Sequence, residues 1–302
     1  MLLDRRVPVF VLAVAAIRPA AAQSAGPGQA RQITHSANYD PSPSPDGRAM
    51  VYISDVAGRE QLFVRSLDGR AVRQLTADSA DHEDPAWSPD GTTIAFVHIR
   101  EGQARIALMP AAGGPIELLT PAGERVIHPN WSPDGKRVAY CVDDDLKPPR
   151  KNPASIKVID LASRRVRVLI SGGVNTYPVW SPDGRWLAFR RMVEDTNSEV
   201  FVADSSGAGV RNLTNSPAFD GWPAWSPDGR RIAFASNRGG TGDYQIYVMR
   251  ADGSDVRLVA RTTGRATAPK WAVDGRTVYF PICRREADGG GCEIYTAAVE
   301  GT

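Results

Sequence analysis

The stretch "PAWSPDG" at residues 223–229 recurs in close variants at five other places in the chain. The final glycines of the six copies lie 44 to 49 residues apart, at Gly47, Gly91, Gly135, Gly184, Gly229 and Gly275. Self-similarity at a period of about 45 residues indicates a repeat protein. The 302-residue chain therefore consists largely of six copies of one structural unit.

Each copy continues in the same way. A strand ends in Trp-Ser, Pro-Asp-Gly forms a turn, and a second strand such as "TIAFVHI" (residues 93–99) follows. A third strand such as "IYVMRA" (residues 246–251) and a fourth such as "RQLT" (residues 73–76) complete the unit. These runs are short, rich in β-branched and aromatic residues, and bounded by turn residues. Four strands in about 45 residues predict one blade of a β-propeller.

The two ends of the repeat region complement each other. The sixth copy ends at "IYTAAVEGT" (residues 294–302) without a fourth strand, whereas "RQIT" (residues 31–34) precedes the first copy without a blade of its own. Pairing the two would leave no unpaired strand edge in the last blade. The sequence thus predicts an all-β fold: a six-bladed β-propeller of four-stranded antiparallel blades, closed by an N-terminal strand that completes the last blade.

Residues 1–22 differ from the rest of the chain. Arg5 and Arg6 precede an apolar run, and Ala20 to Ala22 supply an A-x-A cleavage site, which is typical of a secretory signal peptide. The apolar run is too short to span a bilayer. We therefore expect residues 23–302 to form the mature propeller domain, periplasmic or secreted, without a membrane span and monomeric.

Charge excludes one class of partner. The chain has 36 Lys and Arg against 34 Asp and Glu, and residues 1–22 contain three arginines and one aspartate, so the mature part is neutral. Nucleic-acid binding requires clustered positive charge, and we predict none.

The repeated pattern "PxWSPDGxxIAF", followed by "IYVM", "DG" and "RxLT", resembles the repeat of the TolB-type propellers, also described as WD40-like PD40 repeats. The resemblance covers essentially all of the mature chain. It implies a periplasmic propeller that docks a lipoprotein at its channel mouth. In that family a separate α/β domain precedes the propeller, and we expect none here because only about ten residues separate the cleavage site from "RQIT". The repeat is also similar to the propellers of prolyl-oligopeptidase-type peptidases.

The repeated phrase itself predicts structure rather than catalysis. Ser-Pro-Asp-Gly satisfies the requirements of a type I turn, with proline second and glycine fourth. Six catalytic copies without a histidine, and without the Gly-x-Ser-x-Gly setting of a hydrolase nucleophile, would be implausible. A tryptophan precedes the turn in five copies, and we expect these side chains to pack between blades: Trp87, Trp131, Trp180, Trp225 and Trp271.

Candidate binding residues come from the position before the repeated proline, where the copies differ. That position holds Asp40, Asp84, His128, Tyr177, Trp222 and Ala268. Propellers carry function on the loops at the channel mouth, and six-fold geometry would bring these positions to one rim. We predict that Asp40, Asp84, His128, Tyr177 and Trp222, together with Asp220, bind a ligand or partner. The loop at residues 143–155 is a further candidate, although a solvated loop is the alternative.

Metal and cysteine chemistry is weakly indicated. His82, Asp84, His98 and His128 are the plausible metal ligands, but they lack a tight spacing such as HExxH, so we predict no metal and no cofactor. Cys283 and Cys292 could close a disulfide, which export would permit, or remain reduced. Cys141 is predicted to be a small buried hydrophobic residue.

Two functional hypotheses remain open. The first is a non-catalytic exported propeller that recognises a protein or a cell-envelope polymer at its channel mouth. The alternative is a small carbohydrate-active lyase or hydrolase with a His/Asp site at that mouth. No convergent catalytic set is visible in the sequence, which favours the first.

Overall fold

The computed structural model describes residues 28–35, 38–55, 58–142, 153–194, 197–240, 242–284 and 290–299. The predicted signal peptide at residues 1–22 and most of the candidate loop at 143–155 lie outside these residues. All regular elements within the described ranges are strands. Among the same residues, no helix has the length and apolar character that crossing a membrane requires.

The chain enters through two short strands, β1 (Gly28–Gln29) and β2 (Arg31–Gln32). The first blade contains β3 (Asn38–Pro43), β4 (Ala49–Ser54), β5 (Gln61–Ser66) and β6 (Val72–Gln74), and the second contains β7 (Asp81–Trp87), β8 (Thr93–Arg100), β9 (Gln103–Pro110) and β10 (Glu117–Leu118). The third contains β11 (Val126–Trp131), β12 (Arg137–Val142), β13 (Ser155–Asp160) and β14 (Val166–Ile170).

The fourth blade contains β15 (Asn175–Trp180), β16 (Trp186–Glu194), β17 (Asn197–Asp204) and β18 (Arg211–Asn212). The fifth contains β19 (Asp220–Trp225), β20 (Arg231–Ser236), β21 (Gln245–Arg250) and β22 (Arg257–Arg261). In the sixth, β23 (Arg265–Ala266) and β24 (Lys270–Trp271) together form the first strand, followed by β25 (Thr277–Cys283) and β26 (Cys292–Ala298).

Neighbouring strands within each blade pair antiparallel in chain order, as the repeats predict. The sixth blade obtains its fourth strand from the other end of the chain. β2 pairs antiparallel with β26, with Arg31 opposite Thr296 and Gln32 opposite Tyr295. β1 pairs parallel with β22 of the fifth blade. The N-terminal segment thus completes the last blade, and it also joins the outer edge of the blade before it.

Side chains beyond β2 strengthen this closure. The Ile33 backbone N–H donates to the Ile294 carbonyl at 2.8 Å, and the Ile294 N–H donates to the Thr34 hydroxyl at 2.8 Å. The same hydroxyl donates to the Glu293 carboxylate at 2.7 Å. The closing strand is therefore held by side-chain as well as backbone hydrogen bonds.

The hydrophobic core lies between neighbouring blades. Val51, Ile53 and Leu62 of the first blade, for example, pack with Phe96 and Met109 of the second. The repeated tryptophans take part as predicted. Three of them donate the indole N–H to a carbonyl of the preceding blade at 2.9 to 3.1 Å: Trp87 to Ser42, Trp131 to Ala86 and Trp271 to Ala224. Each of these three hydrogen bonds therefore helps to fix the spacing between two neighbouring blades.

The repeated phrase forms the predicted turn. In the fifth blade the Ser226 hydroxyl donates to Asp228 at 2.6 Å and accepts the Arg231 N–H at 2.9 Å. The Gly229 N–H donates to the Ser226 carbonyl at 2.9 Å, and Gly229 has a φ of +69°, in the left-handed region that favours glycine.

Successive turns also face one another around the ring. A side chain added at Gly229 would lie 3.7 Å from Pro182 of the preceding blade, and each other copy faces its predecessor in the same way. Between the last and first blades the approach is tighter, since a Cβ at Gly47 would lie 2.5 Å from Val273. The sixth copy has Ala272-Val273 where the other copies have Ser-Pro, and this difference thus falls at the contact between the last and first blades.

The cysteines divide into a pair and a single residue. Cys283 and Cys292 lie opposite each other on β25 and β26 and form a disulfide, which resolves the alternative that the sequence left open. Cys141 is fully buried, as predicted.

Candidate functional site

The innermost strand of every blade contains a bulge at the repeated proline. In the first blade, Tyr39 pairs with Ile53 and Ser42 pairs with Val51. The chain thus advances three residues on β3 but only two on β4. The other five blades shift register at the same place. A bulge adds one residue to a strand and redirects a side chain.

The residue before each proline adopts the left-handed region. The φ values of Asp40, Asp84, His128, Tyr177, Trp222 and Ala268 lie between +42° and +55°. Non-glycine residues rarely adopt this conformation, and it costs free energy wherever it occurs. Its repetition in six blades indicates that the fold imposes it at these positions.

The six bulges bring their residues to one place. All six residues line a single cavity, here named the central cavity. The repeated prolines alongside them also line it, as does Lys270. The structure therefore brings together five of the predicted binding residues: Asp40, Asp84, His128, Tyr177 and Trp222.

One side of the central cavity is acidic. Asp40 and Asp84 come from adjacent blades, with Glu60 and Glu83 close behind them. Burial raises the pKa of Asp40 to about 7, and repulsion by Asp84 adds to this, while Lys270 opposes it. Burial likewise raises the pKa of Asp84 to about 6. Burial, Asp84 and a hydrogen bond with Glu60 raise the pKa of Glu83 to about 8. All three carboxyl groups are thus harder to ionise than exposed carboxyls.

The opposite side is aromatic. The rings of His128 and Tyr177 lie 3.7 Å apart between centroids, and those of Tyr177 and Trp222 lie 5.4 Å apart. The buried Arg190 guanidinium lies 4.9 Å from the Tyr177 ring centre and 5.7 Å from that of Trp222. Contacts of this kind between a cation and aromatic faces are attractive, so they hold the aromatic rings in fixed positions.

His128 joins the two sides. Its backbone N–H donates to the Asp84 carboxylate at 2.9 Å, and its ring Nε2 lies 3.8 Å from the same oxygen. Its Nδ1 lies 3.3 Å from the buried Cys141 sulfur. Burial, followed by the positive charges of Arg190 and Lys270, lowers the pKa of His128 well below its usual range. The imidazole is therefore neutral at physiological pH.

Asp220 has a different environment. Its side chain is completely buried, pairs with Arg238 at 2.6 Å and is not among the residues that line the central cavity. Burial raises the pKa of Asp220, while Ser236 and Arg238 oppose the shift. The structure therefore separates Asp220 from the other five predicted binding residues.

Sequence reasoning missed several contributors. Lys270 follows the repeated proline in the sixth copy, where the other copies have uncharged residues such as Ser42 and Val179. That difference was readable from the repeats. Arg190 was readable in the same way, because the equivalent position of the second strand holds uncharged residues such as Ile53 and Ala235 in other blades. Glu60 comes from the connection before β5, and no repeat position marks it.

The candidate metal ligands also lie in two different places. His128 and Asp84 lie in the central cavity, whereas His82 and His98 lie elsewhere and meet Asp78, a residue that the sequence did not single out. The ligand atoms of these three residues all lie within 4.8 Å of one another.

Comparison with known proteins identifies the repeat. Residues 24–147 and 122–301 match the sequence model of a family described as the TolB beta propeller domain. Together the two matches span nearly the whole chain.

Solved structures agree in fold. A putative TolB from Agrobacterium tumefaciens is 24% identical, with 91% of this chain and 100% of that chain covered and a TM-score of 0.69. TolB from Acinetobacter baumannii is 21% identical over 87% of this chain and 63% of that chain, with a TM-score of 0.66. An oligogalacturonate lyase in complex with manganese is 14% identical over 91% and 99%, with a TM-score of 0.60. One architecture thus serves proteins with different names and activities.

Proposed function

This chain belongs to the TolB β-propeller family, and we propose that it is an exported, non-catalytic binding protein that receives a protein segment or a cell-envelope polymer in its central cavity. One observation carries the proposal. Six positions with the same strained backbone converge on one cavity, yet their side chains include carboxylates, an imidazole and large aromatic groups. A framework alone would favour glycine or asparagine at these left-handed positions, because those residues tolerate the backbone angle better.

The chemistry of the cavity fits a ligand with two kinds of surface. Tyr177 and Trp222 offer flat faces, which bury large area at small entropic cost and often anchor recognition. Asp40 and Asp84 offer acceptors for hydroxyl, amide or ammonium groups on the opposite side. A peptide segment or a glycan carries both flat apolar faces and hydrogen-bond donors.

Export is part of the proposal. The apolar N-terminal stretch has the features of a signal peptide, and the two TolB proteins with the same fold support an envelope location. A propeller outside the cytoplasm would encounter both envelope polymers and envelope proteins.

A binding experiment with matched variants tests the proposal. Wild-type mature protein is immobilised and exposed separately to purified peptidoglycan sacculi and to a detergent extract of envelope proteins. The double substitution Tyr177→Ala and Trp222→Ala should abolish retention of the bound component. The double substitution Arg165→Ala and Arg257→Ala should leave it unchanged, because Arg257 lies on the outer strand β22 and Arg165 immediately precedes the outer strand β14.

Thermal melting of both variants shows whether the fold survives. Loss of binding in the outer-strand variant, with retention in the cavity variant, would move the binding surface to the side of the propeller. Failure of the wild-type protein to retain any component from either preparation would also contradict the proposal.

A second candidate function rests on the titration of the cavity carboxyls. A general acid or base works best when its pKa lies near the working pH, and Asp40 and Asp84 have pKa values of about 7 and 6 beside the neutral imidazole of His128. A carbohydrate lyase or hydrolase would use such groups. Product release from uronate-containing oligosaccharides, lost in Asp40→Asn, would favour this function over simple binding.

A further inference from the structure

Two histidines of the second blade form a cross-strand pair away from the central cavity. His82 on β7 lies directly opposite His98 on β8, and their ring centroids are 5.1 Å apart. Neither residue is among those that line the central cavity. Directly opposite positions on antiparallel strands bring two imidazoles close enough to share one ion.

A carboxylate completes the group. Asp78 lies on the connection between β6 of the first blade and β7 of the second. Its Oδ1 lies 3.0 Å from the Nε2 of His82 and accepts the Ala80 N–H at 2.9 Å. The backbone contact holds the carboxylate toward the histidine, while 45% of the Asp78 side chain remains exposed.

The histidines carry ring nitrogens that lack a partner. The side chain of His82 is completely buried, and its Nδ1 has no hydrogen-bond partner among the described residues. Within the same part of the chain, the buried Nδ1 of His98 also has none. Buried polar atoms are usually satisfied, so two unpartnered nitrogens in one side-chain cluster leave donors available for a bound ligand.

We propose that Asp78, His82 and His98 form a binding site for a divalent transition-metal ion of the Zn²⁺ class. Imidazole nitrogen and carboxylate oxygen are the donors that such ions take, and three protein ligands with one position left for water are common in open zinc sites. The exposed side of Asp78 provides that position. This proposal does not depend on the function assigned to the central cavity.

The distances allow the site to close around an ion. With metal–ligand bonds of about 2.0 to 2.2 Å, the ligand atoms of a tetrahedral zinc ion lie roughly 3.4 Å apart. The three ligand atoms here lie within 4.8 Å of one another. Rotation of the exposed Asp78 side chain and small movements of the imidazole rings would close the remaining gap.

Calorimetric titration with Zn²⁺ tests the site directly. Mature protein without a polyhistidine tag is stripped with a chelator and titrated with ZnCl₂, and its melting temperature is measured with and without the metal. We expect one ion per chain and a higher melting temperature with zinc, because a ligand that binds only the folded state stabilises it.

Variants locate the ion. Asp78→Asn keeps an oxygen for the Ala80 N–H but removes the charge, and His98→Gln removes one imidazole. Each should weaken zinc binding at least about tenfold, because loss of even an outer-shell partner of a ligand weakens metal binding by about that much. His35→Gln, at an exposed histidine, is the matched control and should bind as the wild type does. His128→Gln removes the central-cavity histidine and should also leave zinc binding unchanged.

Contrary results are equally clear. Absence of zinc binding by the stripped wild-type protein overturns the proposal, as does unchanged affinity in both Asp78→Asn and His98→Gln. Loss of zinc binding in His128→Gln alone would show that the ion binds in the central cavity instead. Each variant is melted without metal, so that a folding defect is distinguished from a lost ligand.

Discussion

Aspartates occupy two regions of this propeller, and the two environments shift their acidity in opposite directions. In the repeated turns, a hydrogen bond from serine lowers the pKa of Asp46, Asp90 and Asp183. In the bulges that line the central cavity, burial raises the pKa of Asp40 and Asp84. The turn aspartates are thus stabilised in the charged form, whereas burial disfavours the charged form of the cavity aspartates.

This contrast separates framework from function. Turn residues are nearly the same in each copy because each copy needs the same backbone hydrogen bonds. Bulge residues share a backbone conformation but differ in side chain, and two of them are placed where their charge is unfavourable. Such unfavourable placement is typical of sites that act on another molecule. We therefore expect substitutions in the framework to change stability and substitutions in the cavity to change binding.

Removal of the closing strand should have the largest effect. Deletion of residues 23–35 removes the strand pairing with β26 and the Thr34 hydrogen bonds, so the ring loses its closure. We expect a loss of at least about 3 kcal/mol in the free energy of unfolding, since several hydrogen bonds of about 1 kcal/mol each disappear together. Thermal and urea melting measure it. A truncated protein that melts like the intact mature form would refute the strand-sharing closure.

The turn glycines come next. Gly229→Val should lower the free energy of unfolding by at least about 1 kcal/mol, because a β-branched residue is poorly tolerated at the φ of +69° found there. Gly135→Val, at a φ of +67°, should behave in the same way. Gly229→Asn is the control, since asparagine tolerates left-handed angles better. Equal urea midpoints for the valine and asparagine variants would show that the backbone angle is not the cause.

The contribution of the cavity residue Asp40 to stability should depend on pH in the opposite sense to that of the turn aspartates. The folded-state pKa of Asp40 is raised from 3.8 to about 7, so its contribution to stability is present at low pH and lost as pH rises toward 7. Asp40→Asn should match the wild type at pH 4 and be more stable at pH 8, by about 1 kcal/mol or more. Asparagine also suits the left-handed angle at this bulge.

Asp46→Asn provides the contrast within the same blade. The pKa of Asp46 is lowered by the Ser44 hydroxyl, so its contribution is present above its unfolded pKa and lost in acid. This variant should be less stable than the wild type from pH 8 down to about pH 4, and it should approach the wild type only as the pH falls below about 3.8. If melting curves from about pH 2 to 8 show the same trend for both variants, the contrast between turn and cavity is wrong.

The smallest effect is expected for Ser226→Ala. The hydroxyl contacts the Asp228 carboxylate and both backbone groups of Arg231. The sixth copy nevertheless forms its turn with Ala272 in the same position, and the Gly275 N–H donates to the Ala272 carbonyl at 3.1 Å. We expect a loss no larger than about 1 kcal/mol and unchanged ligand binding. Loss of binding without loss of melting temperature would reassign the repeated phrase to function.

The repeats made most of the fold predictable. Four strands for each period, turn residues at fixed places and complementary chain ends define six blades and their closure, because each feature is local or repeated. The convergence of Asp40, Asp84, His128, Tyr177 and Trp222 followed from their equivalent places in the repeat.

The remaining features depend on side-chain direction. Asp220 lies two residues before Trp222, and residues so spaced share one face of a regular strand. The bulge at Trp222 breaks that relation, so Trp222 lines the cavity while Asp220 stays opposite Ser236 and pairs with Arg238. The approach of Asp78 to His82 likewise depends on the path of a connecting loop, which the strand pattern does not specify.

The closing strand also constrains the order of events when the protein is made. Thr34 and Ile294 are 260 positions apart, yet they share a hydrogen bond that completes the last blade. Contacts between such distant positions form slowly, because a long loop must close first. During synthesis, β2 therefore leaves the ribosome long before its partner strand β26, and it stays unpaired until that strand has been made.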